Sequence, residues 1–231
     1  MSNILFTNAL EKKSQAVPPI WFMRQAGRYH QHYQKLKEQY SFEQLCKTPE
    51  LAAEVASGPV REFDFDVAIL FSDILFILEG LGLGLKFNPG PQFSKNINSE
   101  NMHLFTDIDK AIQHMYFQVE ALKITKEKIP TSKSLIGFVG GLWTLLCFAV
   151  GKDKKIAQIE SYHLDFMKNI LLPLLKLNIK LQLDAGAETV MMFDSNLYDL
   201  NSDIFKSEYY YLLKNISDEF PNKVGFYSRG K

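Results

Sequence analysis

Five short apolar runs alternate with longer segments that have helical spacing, and this order limits the chain to few architectures. The plainest run covers residues 67–71, where no side chain is polar. An unbroken apolar strand is buried on both faces, as in parallel sheets covered by helices. The other four runs cover residues 20–23, 135–138, 189–193 and 224–227. The repeated strand–helix order predicts an α/β fold, a parallel sheet with outer helices of about five βα units. Because no linker interrupts it, we expect a single domain over residues 1–231.

Residues with strong positional preferences predict how several segments start, bend or turn. Thr48 followed by Pro49 is typical of a helix start, with threonine as the N-cap and proline as the first helical residue. Asp107 is expected to cap a long helix, and Pro173 to kink a later one. Residues 79–100 are rich in Gly, Pro and Asn and predict a loop with a short hairpin. The side chains expected on the buried side of the helix after Thr48 are Leu51, Val55 and Phe63.

Residues suited to chemistry follow four of the five predicted strands. They are Arg24 and Arg28, Asp73, Gly140 and Trp143, and Asp194 and Ser195. Active sites of parallel α/β folds lie at the carboxyl ends of the strands, so these residues predict a site there. Neither GxGxxG nor GxxxxGK[ST] occurs, and we therefore expect no dinucleotide or P-loop site.

Arginine is rare in this chain and concentrated in one turn. Of the 26 lysine and arginine residues only four are arginine, at positions 24, 28, 61 and 229. In a chain that uses lysine for ordinary surface charge, we expect arginine where its specific geometry is needed. The planar guanidinium group of arginine binds a carboxylate or phosphate through two parallel hydrogen bonds. Arg24 and Arg28 therefore predict an anionic ligand, with two surface arginines in a loop as the alternative.

Asp73 follows the largely apolar segment AILFS (residues 68–72) and precedes the apolar segment ILFIL (residues 74–78). A carboxylate in such a setting is costly unless another group pairs with it. Either Asp73 caps a helix, or it accepts hydrogen bonds from N–H donors and balances a cationic intermediate.

The net charge of zero indicates neither a nucleic-acid partner nor a membrane-surface patch. Cys46 and Cys147 form no CxxC pair and no metal-binding spacing, which is typical of buried thiols in a reducing compartment. The N-terminus lacks the basic start and apolar core of a signal peptide. We therefore expect a cytoplasmic protein.

Longer motifs make the chemistry specific. RQAGRY (residues 24–29) and FSDIL (residues 71–75), followed by LGLGLKF, LIGFVGGLWTL and DAGAETVMMFDS, resemble the uroporphyrinogen decarboxylase family. The resemblance covers essentially the whole chain. It implies a TIM (β/α)8 barrel, a homodimer, and a carboxy-lyase without metal or organic cofactor. The implied reaction removes the four acetate carboxyls of uroporphyrinogen to give coproporphyrinogen.

The resemblance also implies roles for individual residues. Arg24 and Arg28 would bind substrate carboxylates, with Gln25 beside them. Asp73 would be the catalytic residue that accepts the pyrrole N–H groups, and Ser195 would donate a hydrogen bond to the substrate.

Four features depart from the family pattern. Phe148 stands at a substrate-binding position where the family has tyrosine, and Leu142 precedes Trp143 where the family has proline. None of the five histidines matches the family's substrate-site histidine, and we expect all five at the surface or in loops. Five predicted strands are fewer than the eight of a closed barrel, so we expect an incomplete barrel.

Two other readings stay open at this point. The chain could be an inactive remnant, or one half of a split enzyme completed by a separate C-terminal fragment, that binds tetrapyrrole without turnover. A corrinoid-dependent methyltransferase of the same superfamily is less consistent with the sequence, because no Cys/His cluster for its zinc site occurs.

Overall fold

The computed structural model describes residues 2–151, 156 and 158–229. The helices are α1 (Ile4–Leu10), α2 (Gln31–Gln39), α3 (Phe42–Lys47), α4 (Pro49–Phe63), α5 (Phe76–Gly80), α6 (Ile108–His114), α7 (Tyr116–Lys128), α8 (Leu142–Ala149), α9 (Ser161–Phe166), α10 (Leu172–Asp184), α11 (Ser202–Ile204) and α12 (Tyr210–Glu219). The strands are β1 (Val67–Ile69), β2 (Leu85–Phe87), β3 (Pro91–Phe93), β4 (Ser134–Gly140), β5 (Thr189–Asp194) and β6 (Val224–Ser228). No helix in the described part of the chain is both long and apolar enough to cross a membrane.

The main sheet has the order β1-β4-β5-β6. Strand β1 pairs in parallel with β4, and Val67 lies opposite Ser134. All seven residues of β4 are buried, as expected for a strand covered on both faces. The prediction of a parallel sheet with flanking helices is therefore confirmed. Within the described residues this sheet contributes four of the eight strands that a TIM barrel requires.

The chain divides into two compact units, each built from three separate segments of the sequence. The first contains the described residues of 1–73, 116–137 and 181–190. The second contains those of 74–115, 138–180 and 191–231. The single domain expected from the sequence stays a prediction.

The strand predicted over residues 20–23 is wrong. Residues 20–22 have no regular secondary structure and Met23 begins a turn, although Ile20 bonds the residue just before β1. The Ile20 N–H donates to the Asp66 carboxylate at 2.7 Å, and the Ile20 carbonyl accepts the Asp66 N–H at 3.0 Å. Two residues further on, the Phe22 N–H donates to the side chain of Gln25 at 3.1 Å. Side chains thus take backbone bonds that a strand ladder would need, and the strand does not form.

Most of the predicted helix starts and turns are confirmed. Helix α4 begins at Pro49, and the Asp107 carboxylate accepts the Lys110 N–H at the start of α6. Strands β2 and β3 form the expected hairpin. The long helix predicted after Asp107 divides at Met115, whose N–H bonds the Ile112 carbonyl three residues back and closes α6 with a tight turn.

Two further predictions concern the kink at Pro173 and the buried side of α4. A π-helical turn (Met167–Leu171) precedes Pro173, which lacks the N–H that a regular helix would use. Val55 is buried as predicted, but Phe63 is 42% exposed, so its predicted burial is wrong. Phe63 is the last residue of α4, and Asp64 turns the chain away in a left-handed conformation.

Candidate functional site

Both predicted ligand-binding arginines lie in a turn of the first unit that is held from within by Gln25. Arg24 and Arg28 are exposed, whereas Gln25 is 1% exposed. The Gln25 Oε1 accepts the Phe22 N–H at 3.1 Å, and its Nε2 donates to the Val67 carbonyl at 3.1 Å. The Gln25 carbonyl accepts the Tyr29 hydroxyl at 2.6 Å. The amide therefore joins the turn to β1 and leaves both arginines facing outward.

This arrangement predicts that Gln25→Leu lowers the free energy of unfolding by about 2–4 kcal/mol. Leucine keeps the volume but leaves the buried Val67 carbonyl without its partner, which costs roughly 1–3 kcal/mol, and the partly buried Phe22 N–H also loses its bond. Urea denaturation measures the loss, and amide exchange at Phe22 should rise with it. Gln39→Leu, at an exposed position of α2, is the control. Equal stability of the two variants would contradict the structural role of Gln25.

A second anchor closes the same turn at its far end. His30 is 1% exposed, and its Nε2 lies 2.7 Å from the Glu62 carboxylate of α4. The His30 N–H donates to the Gly27 carbonyl at 2.9 Å. All five histidines were predicted to lie at the surface or in loops. His30 is buried but lies in a loop, whereas His163 lies in α9 and is 3% exposed, so the prediction is wrong for His163.

The first unit contains a buried cluster of Tyr33, Leu45 and Val55 with partly buried side chains around it, and Arg28 and Asp73 belong to the same unit. Burial and the neighbouring Cys46 thiol raise the pKa of Tyr33, while Arg28 lowers it. Burial first, and then the Asp73 carboxylate, raise the pKa of Cys46 well above its usual value. The charge of Arg28 therefore acts on Tyr33 and that of Asp73 acts on Cys46, and the anionic ligand stays a prediction.

Arg24 also lines a cavity that the sequence did not reveal. The cavity has a volume of about 410 Å³, and its other lining residues are Phe22, Tyr29, Phe63 and Phe65. The rings of Phe22 and Phe65 meet edge to face with centroids 5.3 Å apart. An arginine beside aromatic walls suits a ligand with an apolar body and an acidic group.

Ser195 lies in the second unit, in a half-buried turn directly after β5. The residue before it, Asp194, is fully buried and bonds Thr144 of α8 through the Thr144 N–H at 2.8 Å and the hydroxyl at 2.6 Å. The Asn196 N–H in turn donates to the Thr144 hydroxyl at 3.0 Å. Both neighbours of Ser195 are therefore tied to the start of α8.

Phe148 also belongs to the second unit, near the end of α8. Its half-buried ring lies 6.4 Å, centroid to centroid, from the ring of Phe93 in the hairpin. The side chain makes an aromatic contact here and offers no hydroxyl to a ligand. Cys147, next to it, is buried, and burial raises the pKa of its thiol to about 12.

The structure thus collects the predicted residues in two sets. Arg24, Gln25, Arg28 and Asp73 lie in the first unit, and Phe148 and Ser195 lie in the second. Within the described residues, no three His, Cys, Asp or Glu side chains come together as a metal site. The substrate contacts assigned to the six residues stay predictions.

Three comparisons relate this chain to known proteins. The family model described as "Uroporphyrinogen decarboxylase (URO-D)" matches residues 1–231. The uroporphyrinogen decarboxylase of Nitrosococcus oceani is 36% identical over 206 residues, which are 84% of this chain and 58% of that protein. The uroporphyrinogen decarboxylase of Chlorobium limicola is 37% identical over 221 residues, or 89% of this chain and 62% of that protein.

A solved structure confirms the fold independently. The chain superposes on a methyltransferase from Methanosarcina mazei with a TM-score of 0.80, covering 99% of this chain and 71% of that one. At 16% sequence identity the likeness concerns the fold alone. The chain spans 58% and 62% of the lengths of the two decarboxylases, respectively.

Proposed function

This chain belongs to the uroporphyrinogen decarboxylase family, and on that premise we propose that it acts in the decarboxylation of uroporphyrinogen III to coproporphyrinogen III, in porphyrin and haem biosynthesis. The observation that carries the proposal is the arginine turn. Two exposed arginines stand on a turn anchored by Gln25 and His30, and the half-buried Asp73 belongs to the same unit. The substrate carries acidic arms around a ring of pyrrole N–H groups, so it needs both kinds of partner.

Decarboxylation requires a place for the electron pair that the departing carbon dioxide leaves behind. A pyrrole protonated at a ring carbon is a cation that can accept this pair. The side-chain carbon then takes up a proton to become the methyl group and the ring carbon loses its own, so that one proton in total replaces each carbon dioxide. The chain's own groups then need to orient and stabilise this cation. In the proposal Asp73 accepts the pyrrole N–H bonds and supplies the opposite charge, which acts strongly where water is excluded.

The arginines have a different task in the same proposal. Arg24 and Arg28 hold peripheral carboxylates through paired hydrogen bonds and so select which acetate arm approaches the reacting position. Ser195 donates a hydrogen bond to the substrate. The protein would work in the cytoplasm as a homodimer or together with a separate C-terminal fragment, and the oligomeric state is measurable by light scattering.

The experiment that tests the proposal is anaerobic turnover of uroporphyrinogen III by the purified chain, with products separated by carboxyl number. Products with seven to four carboxyls are expected. A folded protein that yields no such product, alone or with a C-terminal fragment of a relative, would contradict the decarboxylase proposal.

A second candidate function is tetrapyrrole binding without turnover. The observation that favours it is Phe148, whose ring packs towards Phe93 where the family resemblance places a tyrosine hydroxyl. Under this candidate the chain binds the fluorescent coproporphyrin but forms no product from uroporphyrinogen. Phe148→Tyr would then restore turnover. A corrinoid-dependent methyltransferase function has only the shared fold in its favour.

Arg28→Lys is expected to weaken binding of the tetrapyrrole carboxylates roughly tenfold, because lysine keeps the charge but loses the paired hydrogen bonds. Fluorescence titration with coproporphyrin measures the change in dissociation constant. Arg61→Lys is the matched control, since Arg61 bonds Ser57 and Glu54 on α4 and has no assigned ligand. Unchanged affinity in Arg28→Lys would argue against a carboxylate clamp.

A further inference from the structure

Tyr209 places a phenol hydroxyl in the core of the second unit. It ends a π-helical turn (Phe205–Tyr209) and lies on the same buried stripe as Leu212 and Ile216. The side chain is fully buried, and a buried tyrosine hydroxyl requires hydrogen-bond partners. Its oxygen accepts the backbone N–H of Trp143 at 3.3 Å, and its O–H donates to the Asp194 carboxylate.

The Asp194 carboxylate needs these donors because it is buried and no longer hydrated. Burial raises the pKa of Asp194, and the bonds from Thr144 and Tyr209 act in the opposite direction. The N-terminal end of α8 adds the favourable end of a helix dipole. Burial and the nearby Asp194 carboxylate raise the pKa of Tyr209 well above its usual value, so the phenol keeps its proton and stays a donor.

One oxygen of Asp194 therefore serves Thr144 and the other serves Tyr209. The Thr144 hydroxyl donates a hydrogen bond to Asp194, and its oxygen accepts the Asn196 N–H. Tyr209 thus helps to fix the Asp194 carboxylate, and that carboxylate fixes the Thr144 hydroxyl. Thr144 in turn holds the N–H of Asn196, the residue that follows Ser195. No contact between Tyr209 and Ser195 is needed for this effect.

We propose that Tyr209 is a positioning residue, which acts through Asp194 and Thr144 to hold the turn that presents the Ser195 hydroxyl to an anionic tetrapyrrole. The inference rests on the proposed function in one respect, the role of Ser195 as a substrate contact. The positioning of the turn can be measured without any ligand.

The first test is amide hydrogen exchange on the ligand-free protein. Tyr209→Phe removes only the hydroxyl, and exchange at Asn196 and Thr144 should rise roughly tenfold, the size expected for one lost buried hydrogen bond. Tyr211→Phe is the matched control, because Tyr211 lies on the same helix and is 61% exposed. Unchanged exchange in Tyr209→Phe would overturn the proposal.

A double-mutant cycle with Ser195→Ala tests the functional half. Tyr209→Phe should raise KM for uroporphyrinogen, or the dissociation constant for coproporphyrin, roughly tenfold with less effect on kcat. In the Ser195→Ala background the same change should have little further effect, because both variants disable one contact. Equal effects in both backgrounds would show that Tyr209 does not act through Ser195, and would overturn the inference.

Two outcomes, a Tyr209→Phe variant that does not fold and a wild-type chain that does not bind tetrapyrrole, each have their own test. If Tyr209→Phe does not fold, Thr144→Val is the second variant, because it removes the hydroxyl that links Asp194 to Asn196. Thr144→Ser keeps that hydroxyl and should restore the protection of the Asn196 amide from exchange. If the wild-type chain neither binds nor converts tetrapyrrole, the proposed function fails, and the exchange measurements alone decide whether Tyr209 holds the turn.

Discussion

Asp73→Asn is expected to lower the rate of uroporphyrinogen decarboxylation by on the order of a hundredfold or more, the usual cost of removing a preorganised group that meets developing charge. Asparagine is nearly isosteric, so the packing around this half-buried position should be kept. The negative charge is lost, and one of the two carboxylate oxygens becomes an N–H₂ donor facing the pyrrole N–H groups. The proposed cationic intermediate would then lack its counter-charge.

Initial rates of product formation under anaerobic conditions measure this effect, and coproporphyrin titration separates binding from turnover. Asp109→Asn, at an exposed position of α6, serves as the control and should behave as the wild type. Full turnover by Asp73→Asn would exclude the catalytic role of Asp73. It would favour the alternative in which this aspartate only caps the following helix.

Gly141→Ala should destabilise the second unit by about 3 kcal/mol or more, the upper range for overpacking a core. A Cβ at position 141 would lie 2.2 Å from the Asp194 Cγ and 2.3 Å from its Cβ. Gly141 has φ −70° and ψ 152°, a conformation open to every residue, so the cost is steric and does not come from backbone strain.

The neighbour that would have to move is unusually restrained. Asp194 is held by Thr144 and Tyr209, and its displacement would break the bonds that satisfy a buried carboxylate. Urea or thermal denaturation measures the loss. Gly90→Ala is the control, because nothing lies within 4 Å of the Cβ it would add. Equal midpoints for the two variants would show that the turn after β4 has room that the structure does not indicate.

Local patterns predicted much of the fold because burial and capping depend on nearby residues. The apolar run at 67–71 and the complete burial of β4 follow from the same rule, that a strand covered on both faces carries few polar side chains. Asp107 caps its helix as predicted because the carboxylate reaches an N–H only three residues ahead. The family, too, is recognisable in short motifs, RQAGRY and FSDIL, which the matching relatives support.

The same local rules failed where a side chain replaced a backbone partner. Residues 20–23 have the composition of a strand, but Asp66 and Gln25 take the bonds of Ile20 and Phe22. The Gln25 amide bridges Phe22 and Val67, a structural role that local patterns did not indicate, and its contact with a ligand stays a prediction. Nothing in the sequence around Gln25 indicates that its partner lies 42 residues away.

The sequence alone therefore establishes the family, the parallel α/β class and the residue types available for binding an acidic ring. Which buried groups hold those residues in place emerges only when the chain is folded. Asp194 meets Thr144 from 50 residues before it and Tyr209 from 15 residues after it. Hydrophobic periodicity assigns Tyr209 to a buried stripe, but it carries no information about which acceptor its hydroxyl meets. That choice depends on the path of the chain between distant elements, which brings a carboxylate, a helix N-terminus and a phenol to one point.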